Sequence, residues 1–89
     1  MAKKRTKLEV IKDILEVLRK NEKVKITHLI YKSNLSNNSI KPHIEELLKN
    51  GLIGKESENE KTFFTLAKKG EEFLREFNKI KVFSEAYGL

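Results

Sequence analysis

Cysteine is absent from this 89-residue chain. That excludes disulfides and thiolate metal sites, and it fits a reducing interior. The four glycines form no loop able to cradle a phosphate. The two histidines, His28 and His43, stand in no His/carboxylate cluster at ligand spacing, so no zinc and no other cofactor is expected. No nucleophile with its base and no pair of catalytic carboxylates can be picked out, and no enzymatic activity is expected. No apolar run approaches the roughly 20 residues of a membrane span. The start, MAKKRTK, is basic but lacks the apolar segment of a signal peptide, so the chain is expected to stay in the cytosol. There is no internal repeat and no low-complexity linker.

What is present is charge, unevenly placed. The net charge is +6 and the pI is near 9.6. Residues 1–44 hold eleven Lys/Arg against four acids, +7, while residues 45–89 hold eight against nine, −1. A basic half on a small domain favours a polyanionic partner. Its bland alternative is a merely solubilising surface. The hydrophobic content of 38% supports one globular core and leaves no room for a second domain.

Residues 1–5 read as a basic, disordered arm. Thr6-Lys7-Leu8-Glu9 then matches a capping box, and Leu8, Ile11, Ile14, Leu15, Val17 and Leu18 form the apolar stripe of a helix from about Lys7 to Lys20. Val24-Lys25-Ile26 alternates as a short edge strand would. Thr27 is placed to cap a short helix from His28 to Ser33, with Leu29 and Ile30 inward and Asn34 as its left-handed end. Leu35 would pack between helices and Ser36 would cap the next one, a helix-turn-helix connection.

The stretch Leu35 to Gly54 carries the main interest. Ile40, Ile44, Leu47 and Leu48 repeat at helical spacing, and the first turn bears Asn37, Asn38, Ser39 and Lys41. Those side chains suit base edges or phosphate oxygens. Pro42 is expected to loosen the turn over 37–41, leaving regular helix from about Lys41 to Asn50, ended by Gly51. Leu52–Ser57 and Lys61–Leu66 read as a hairpin around Glu58-Asn59-Glu60, with Phe64 and Leu66 inward. A last helix follows Lys68-Lys69-Gly70 and reaches about Ala86, with Gly88 beyond its end.

The expected fold is therefore mostly α with a small β-hairpin: a winged helix-turn-helix of order α-β-α-α-β-β-α with an extended C-terminal helix. At this point the chain resembles the small archaeal winged-helix DNA-binding proteins, some of them dimeric and chromatin-associated. The likeness runs from Thr6 to about Phe77. It rests on Lys7-Leu8-Glu9-Val10-Ile11, on Leu35-Ser36, on Leu47-Leu48-Lys49-Asn50-Gly51-Leu52-Ile53, and on Phe64-Thr65-Leu66-Ala67-Lys68-Lys69-Gly70-Glu71-Glu72-Phe73-Leu74. Two positions depart from it. Ala67 stands where the family usually has a capping threonine, at a cost of roughly 1 kcal/mol. Pro42 falls where relatives carry a basic or long polar side chain facing DNA.

Three parts follow: an arm over 1–5, a winged-helix domain over 6–77, and a helical extension over 78–89 that serves a homodimer. The candidate DNA contacts are Lys3, Lys4, Arg5, Asn37, Asn38, Ser39, Lys41, His43, Lys55 and Lys61. Phe77, Ile80, Phe83 and Tyr87 are the candidate dimer interface, because the apolar pattern runs on after the core is sealed. Double-stranded DNA is the expected partner, for a nucleoid-associated regulator or architectural protein, with no small-molecule ligand. The hairpin tip, with Glu56, Glu58 and Glu60, repels phosphate, and Lys55 and Lys61 at its base are the residues able to counter it. Those acids and Pro42 also motivate a rival, a winged helix used for protein–protein contact without DNA.

Overall fold

The first helix, α1 (Lys7–Lys20), begins on a complete capping box. The Thr6 hydroxyl accepts from the Glu9 N–H, and the Glu9 carboxylate accepts from the Thr6 N–H. In the computed structural model, which describes residues 5–88, five further elements follow. They are α2 (Ile26–Ser33), α3 (Asn37–Lys49), β1 (Ile53–Glu58), β2 (Lys61–Leu66) and α4 (Lys68–Ala86). The mostly helical, winged architecture expected from the sequence is present.

The core is where the four helices meet one face of the hairpin. Ile14, Leu15, Leu29, Ile40 and Leu47 are closed off almost completely, with Leu18, Val24, Ile53, Phe64 and Leu74 around them. The stripe of α1 is rotated from the expected one. Leu8 is 55% exposed and Val10 is buried instead. With 3.6 residues per turn, Val10 lies four residues before Ile14 and shares its side. Leu8, six residues before, lies about 120° away.

The segment before α2 also differs from expectation. Only Val24 pairs with the sheet, through two backbone bonds to Phe64 of 3.0 and 2.7 Å. That bridge holds the chain extended as far as Lys25, whose carbonyl accepts from His28 and Leu29. The helix consequently starts at Ile26 with Lys25 at its cap and no side-chain cap. Thr27 comes too late to serve. At the other end Asn34 adopts φ 56°, ψ 44° as expected, and inside α2 the buried Ser33 hydroxyl donates to the Leu29 carbonyl.

Pro42 does not loosen α3, which is regular from Asn37. The Ser36 hydroxyl accepts from the Ser39 N–H at 3.0 Å, and the Ser36 carbonyl accepts from Ile40. The missing proline N–H would have bonded the Asn38 carbonyl. That carbonyl belongs to an exposed residue in the first turn, where water can serve it.

The hairpin is antiparallel, with Ile53 opposite Leu66, Lys55 opposite Phe64 and Glu58 opposite Lys61. It is shifted one residue from the expected first strand. Asn59 and Glu60 both have positive φ, 51° and 65°, the two-residue turn whose twist suits a hairpin. Helix α4 starts at Lys68 without a side-chain cap, as Ala67 dictates. Its contact with the sheet is close: Gly70 is buried beneath the Leu52 carbonyl.

Candidate nucleic-acid interface

Helix α3 buries Ile40, Ile44 and Leu47, so the arc opposite the core holds Asn38, Pro42, Glu45 and Lys49. Asn37, Asn38, Ser39 and Lys41 are all exposed. Ser39 is engaged by Ser36, hydroxyl to hydroxyl at 2.8 Å. The side chains of Asn37, Asn38 and Lys41 have no hydrogen-bond partner among the described residues. The first turn thus presents two amides and a cation outward, at a helix end whose dipole attracts anions. His43 is half-buried at the flank of the helix.

Further along the same helix, Glu46 is held by Lys7 of α1 at 2.8 Å. The Lys7 hydrogen bond keeps its carboxyl below the ordinary carboxylate range. Glu45 remains exposed, so anionic partners are repelled toward the N-terminal half. Lys49 belongs to the outward arc and was missing from the sequence-based set. Its spacing of seven from Pro42 and eleven from Asn38 is the signal that could have found it.

The hairpin lysines do not form one patch. Lys55 lies on the face shared with Phe64, whereas Lys61 pairs across from Glu58 on the opposite face. The acids are countered by a residue the sequence did not suggest. Lys23, in the turn between α1 and α2, reaches Glu58 at 2.8 Å and Glu56 at 3.6 Å. Hydrogen bonding from Lys23 lowers the Glu58 pKa, and the same bond raises that of Lys23. Lys23 and Lys25 also stand 6.0 Å from the Phe63 ring centre. The wing is thereby tied to the helical body on its acidic face. Nothing in the local sequence announces a pair 33 or 35 residues apart.

Arg5 corrects the expected arm. Its guanidinium donates to Asp13 at 2.7 Å and to the Asn34 carbonyl at 3.3 Å, so it belongs to the folded body and closes the end of α2. Lys3 and Lys4 lie outside the described residues. Helix α2 adds an exposed Tyr31 with Lys32 5.8 Å from its ring centre.

At the far end of α4, Phe77 is half-buried, and Phe73 stacks on it with ring centres 6.2 Å apart. Beyond it, Ile80, Val82, Phe83 and Tyr87 are 68, 66, 60 and 70% exposed. The rings of Phe83 and Tyr87 pack on each other with centres 4.7 Å apart. Val82 lies off the expected stripe, about 100° or more around the helix from the other three, beside Arg75 and Lys79.

A helix-turn-helix followed by a hairpin and a sealing helix defines the winged helix, and the comparisons agree. A family model described as winged helix-turn-helix matches residues 4–85, and the chain belongs to that family. Its structure is similar to that of Sso10a-2, described as a DNA-binding protein from Sulfolobus solfataricus. The TM-score is 0.80 at 24% identity, over 94% of this chain and 87% of that one. No curated protein gives a significant match. No helix among the described residues is long and apolar enough to cross a membrane, and no group of three or more metal-ligating side chains occurs among them.

Proposed function

We propose that this chain binds double-stranded DNA through the first turn of α3, as a transcriptional regulator or chromosome-architectural protein of the nucleoid, without enzymatic activity. The observation that carries this is the exposed, unpartnered set Asn37, Asn38 and Lys41 on a helix with an intact N-cap. The basic N-terminal half, +7 over residues 1–44, and the similarity to a structure described as DNA-binding support it. In this assignment Asn37 and Asn38 read base edges, while Lys3, Lys4 and Lys41 neutralise phosphates. His43, Lys55 and Lys61 are secondary contacts, because they point from different faces.

The chain acts as a homodimer through α4 in the same proposal. Large apolar side chains past Phe77 have no cover in the monomer, and burying each is worth roughly 1.5–3 kcal/mol. A twofold pairing of the helices would bury them and present two α3 helices to two half-sites.

A gel shift on random duplex over a salt series tests the proposal. Binding should weaken steeply as salt rises, with a log–log slope of about −0.9 per neutralised phosphate. Absence of binding at low salt would reject it. That outcome would favour the second reading, a protein-contact module, to which the acidic wing face and Pro42 are better suited.

A further inference from the structure

The outward arc of α3 carries one group that phosphate contact does not explain. Asn38, Pro42, Glu45 and Lys49 fall within about 60° of one another around the helix. They lie opposite the buried Ile40, Ile44 and Leu47, and all four are exposed. Two acids stand side by side further along the helix, and the fold treats them differently. Glu46 is half-buried and held by Lys7 at 2.8 Å. Glu45 makes no hydrogen bond or ion pair among the described residues, although Lys41 and Lys49 lie a turn away on either side. Pro42 stands between Asn38 and Glu45 with a ring that offers neither donor nor acceptor.

We infer that Glu45 is a specificity-determining residue that reads a cytosine in the major groove. This inference rests on the DNA-binding proposal above and carries the contact of α3 past its first turn. A recognition helix in the major groove turns the arc opposite its packed face toward the base edges. Phosphate oxygens repel the Glu45 carboxylate, and so do the acceptor edges of guanine and thymine. The donors open to it there are the N4 amino group of cytosine and the N6 amino group of adenine. Adenine sets its N7 acceptor beside that amino group, whereas cytosine has no acceptor on the same edge, so the carboxylate favours cytosine. Asn38 suits the complementary case, since its amide matches the N6–N7 pair of adenine. The two residues are seven apart, about 10.5 Å along the helix axis. Base steps rise about 3.4 Å, so the two bases read lie up to about three steps apart. An unpaired carboxylate also penalises guanine and thymine at its position, which adds discrimination by repulsion to discrimination by attraction.

The experiment measures gel shifts on random duplex, then selects sites from that pool with full-length wild type, Glu45→Ala and Glu45→Gln. Wild type should enrich cytosine at one position. In Glu45→Ala that preference should fall about tenfold or more, while binding to random duplex tightens because an anion has left the interface. Glu45→Gln should move the preference at the same position from cytosine toward adenine, which a glutamine amide matches at two atoms. Glu45 is exposed, and circular-dichroism melts matching wild type confirm that both variants fold. Equal tightening of Glu45→Ala on random duplex and on the wild-type sites would overturn the inference, because Glu45 would then only repel DNA. A wild type that binds random duplex yet enriches no cytosine would also overturn it, and would leave the DNA-binding proposal standing. A wild type that binds no duplex would bring down that proposal, and this inference with it.

Discussion

Replacing Gly70 with alanine should destabilise the domain, although alanine ordinarily favours a helix over glycine by about 1 kcal/mol. Gly70 is the third residue of α4 and is buried. A Cβ there would lie 2.3 Å from the Leu52 carbonyl oxygen and 2.6 Å from Leu66 Cδ1. The leucine methyl can swing aside. The carbonyl cannot, because it is backbone and already accepts from the Ala67 N–H at 3.1 Å. Relief therefore requires the start of α4 to retreat by about 1 Å, which stretches that bond and loosens Leu74 in the core. Overpacking of this kind costs roughly 1–3 kcal/mol, and the propensity gain offsets part of it. The net loss is up to about 2 kcal/mol, which should lower Tm by as much as about 16 °C in a domain of this size. Gly51 is the comparison: open space surrounds it, but its φ of +74° makes alanine costly through backbone strain alone. Melts followed by circular dichroism should be run at one protomer concentration, since pairing through α4 would make Tm concentration-dependent. A Gly70→Ala protein more stable than wild type by the full helix-propensity gain of about 1 kcal/mol would refute the close packing of α4 on the sheet.

Asn37→Ala with Asn38→Ala should flatten preference among selected DNA sites by roughly 1–3 kcal/mol per lost base contact while sparing non-specific affinity; unchanged preference would remove their reading role. Hydrogen bonding from Lys23 lowers the Glu58 pKa, so its stabilisation is present above the ordinary carboxylate pKa and is lost as pH falls through the lowered one. A side-chain NMR titration of Glu58 should show the low midpoint in wild type and its return toward the ordinary value in Lys23→Gln. Glu58→Lys with Glu60→Lys should tighten random-duplex binding in gel shifts if the wing approaches DNA, and no change means it stays clear. Ile80→Lys with Phe83→Lys should yield a folded monomer by sedimentation equilibrium, against a dimeric wild type at tens of micromolar; a monomeric wild type would end the dimer proposal.

Local sequence determined much of this protein. The capping box at Thr6, the left-handed Asn34, the Ser36 cap and the missing cap at Ala67 follow from groups a few residues apart. The period change from helix to hairpin and back placed all four helices and the hairpin within a few residues. Tertiary structure decided what depends on distant partners. Leu8 is exposed because the core lies on the side of α1 that Ile14 and Leu18 face, which the stripe alone left open by a fraction of a turn. Helix α2 starts early because Val24 is pinned to Phe64, forty residues on, and α3 stays regular through Pro42 because its packed face and Ser36 cap outweigh one missing bond. In the sequence Arg5 is a candidate DNA contact and Lys23 has no assigned role, yet Asp13 and the Asn34 carbonyl claim the one in space and Glu56 and Glu58 the other. Net charge could be read from composition. Which charges remain available to a partner depended on the fold, because ion pairing acts over a few ångströms regardless of separation along the chain.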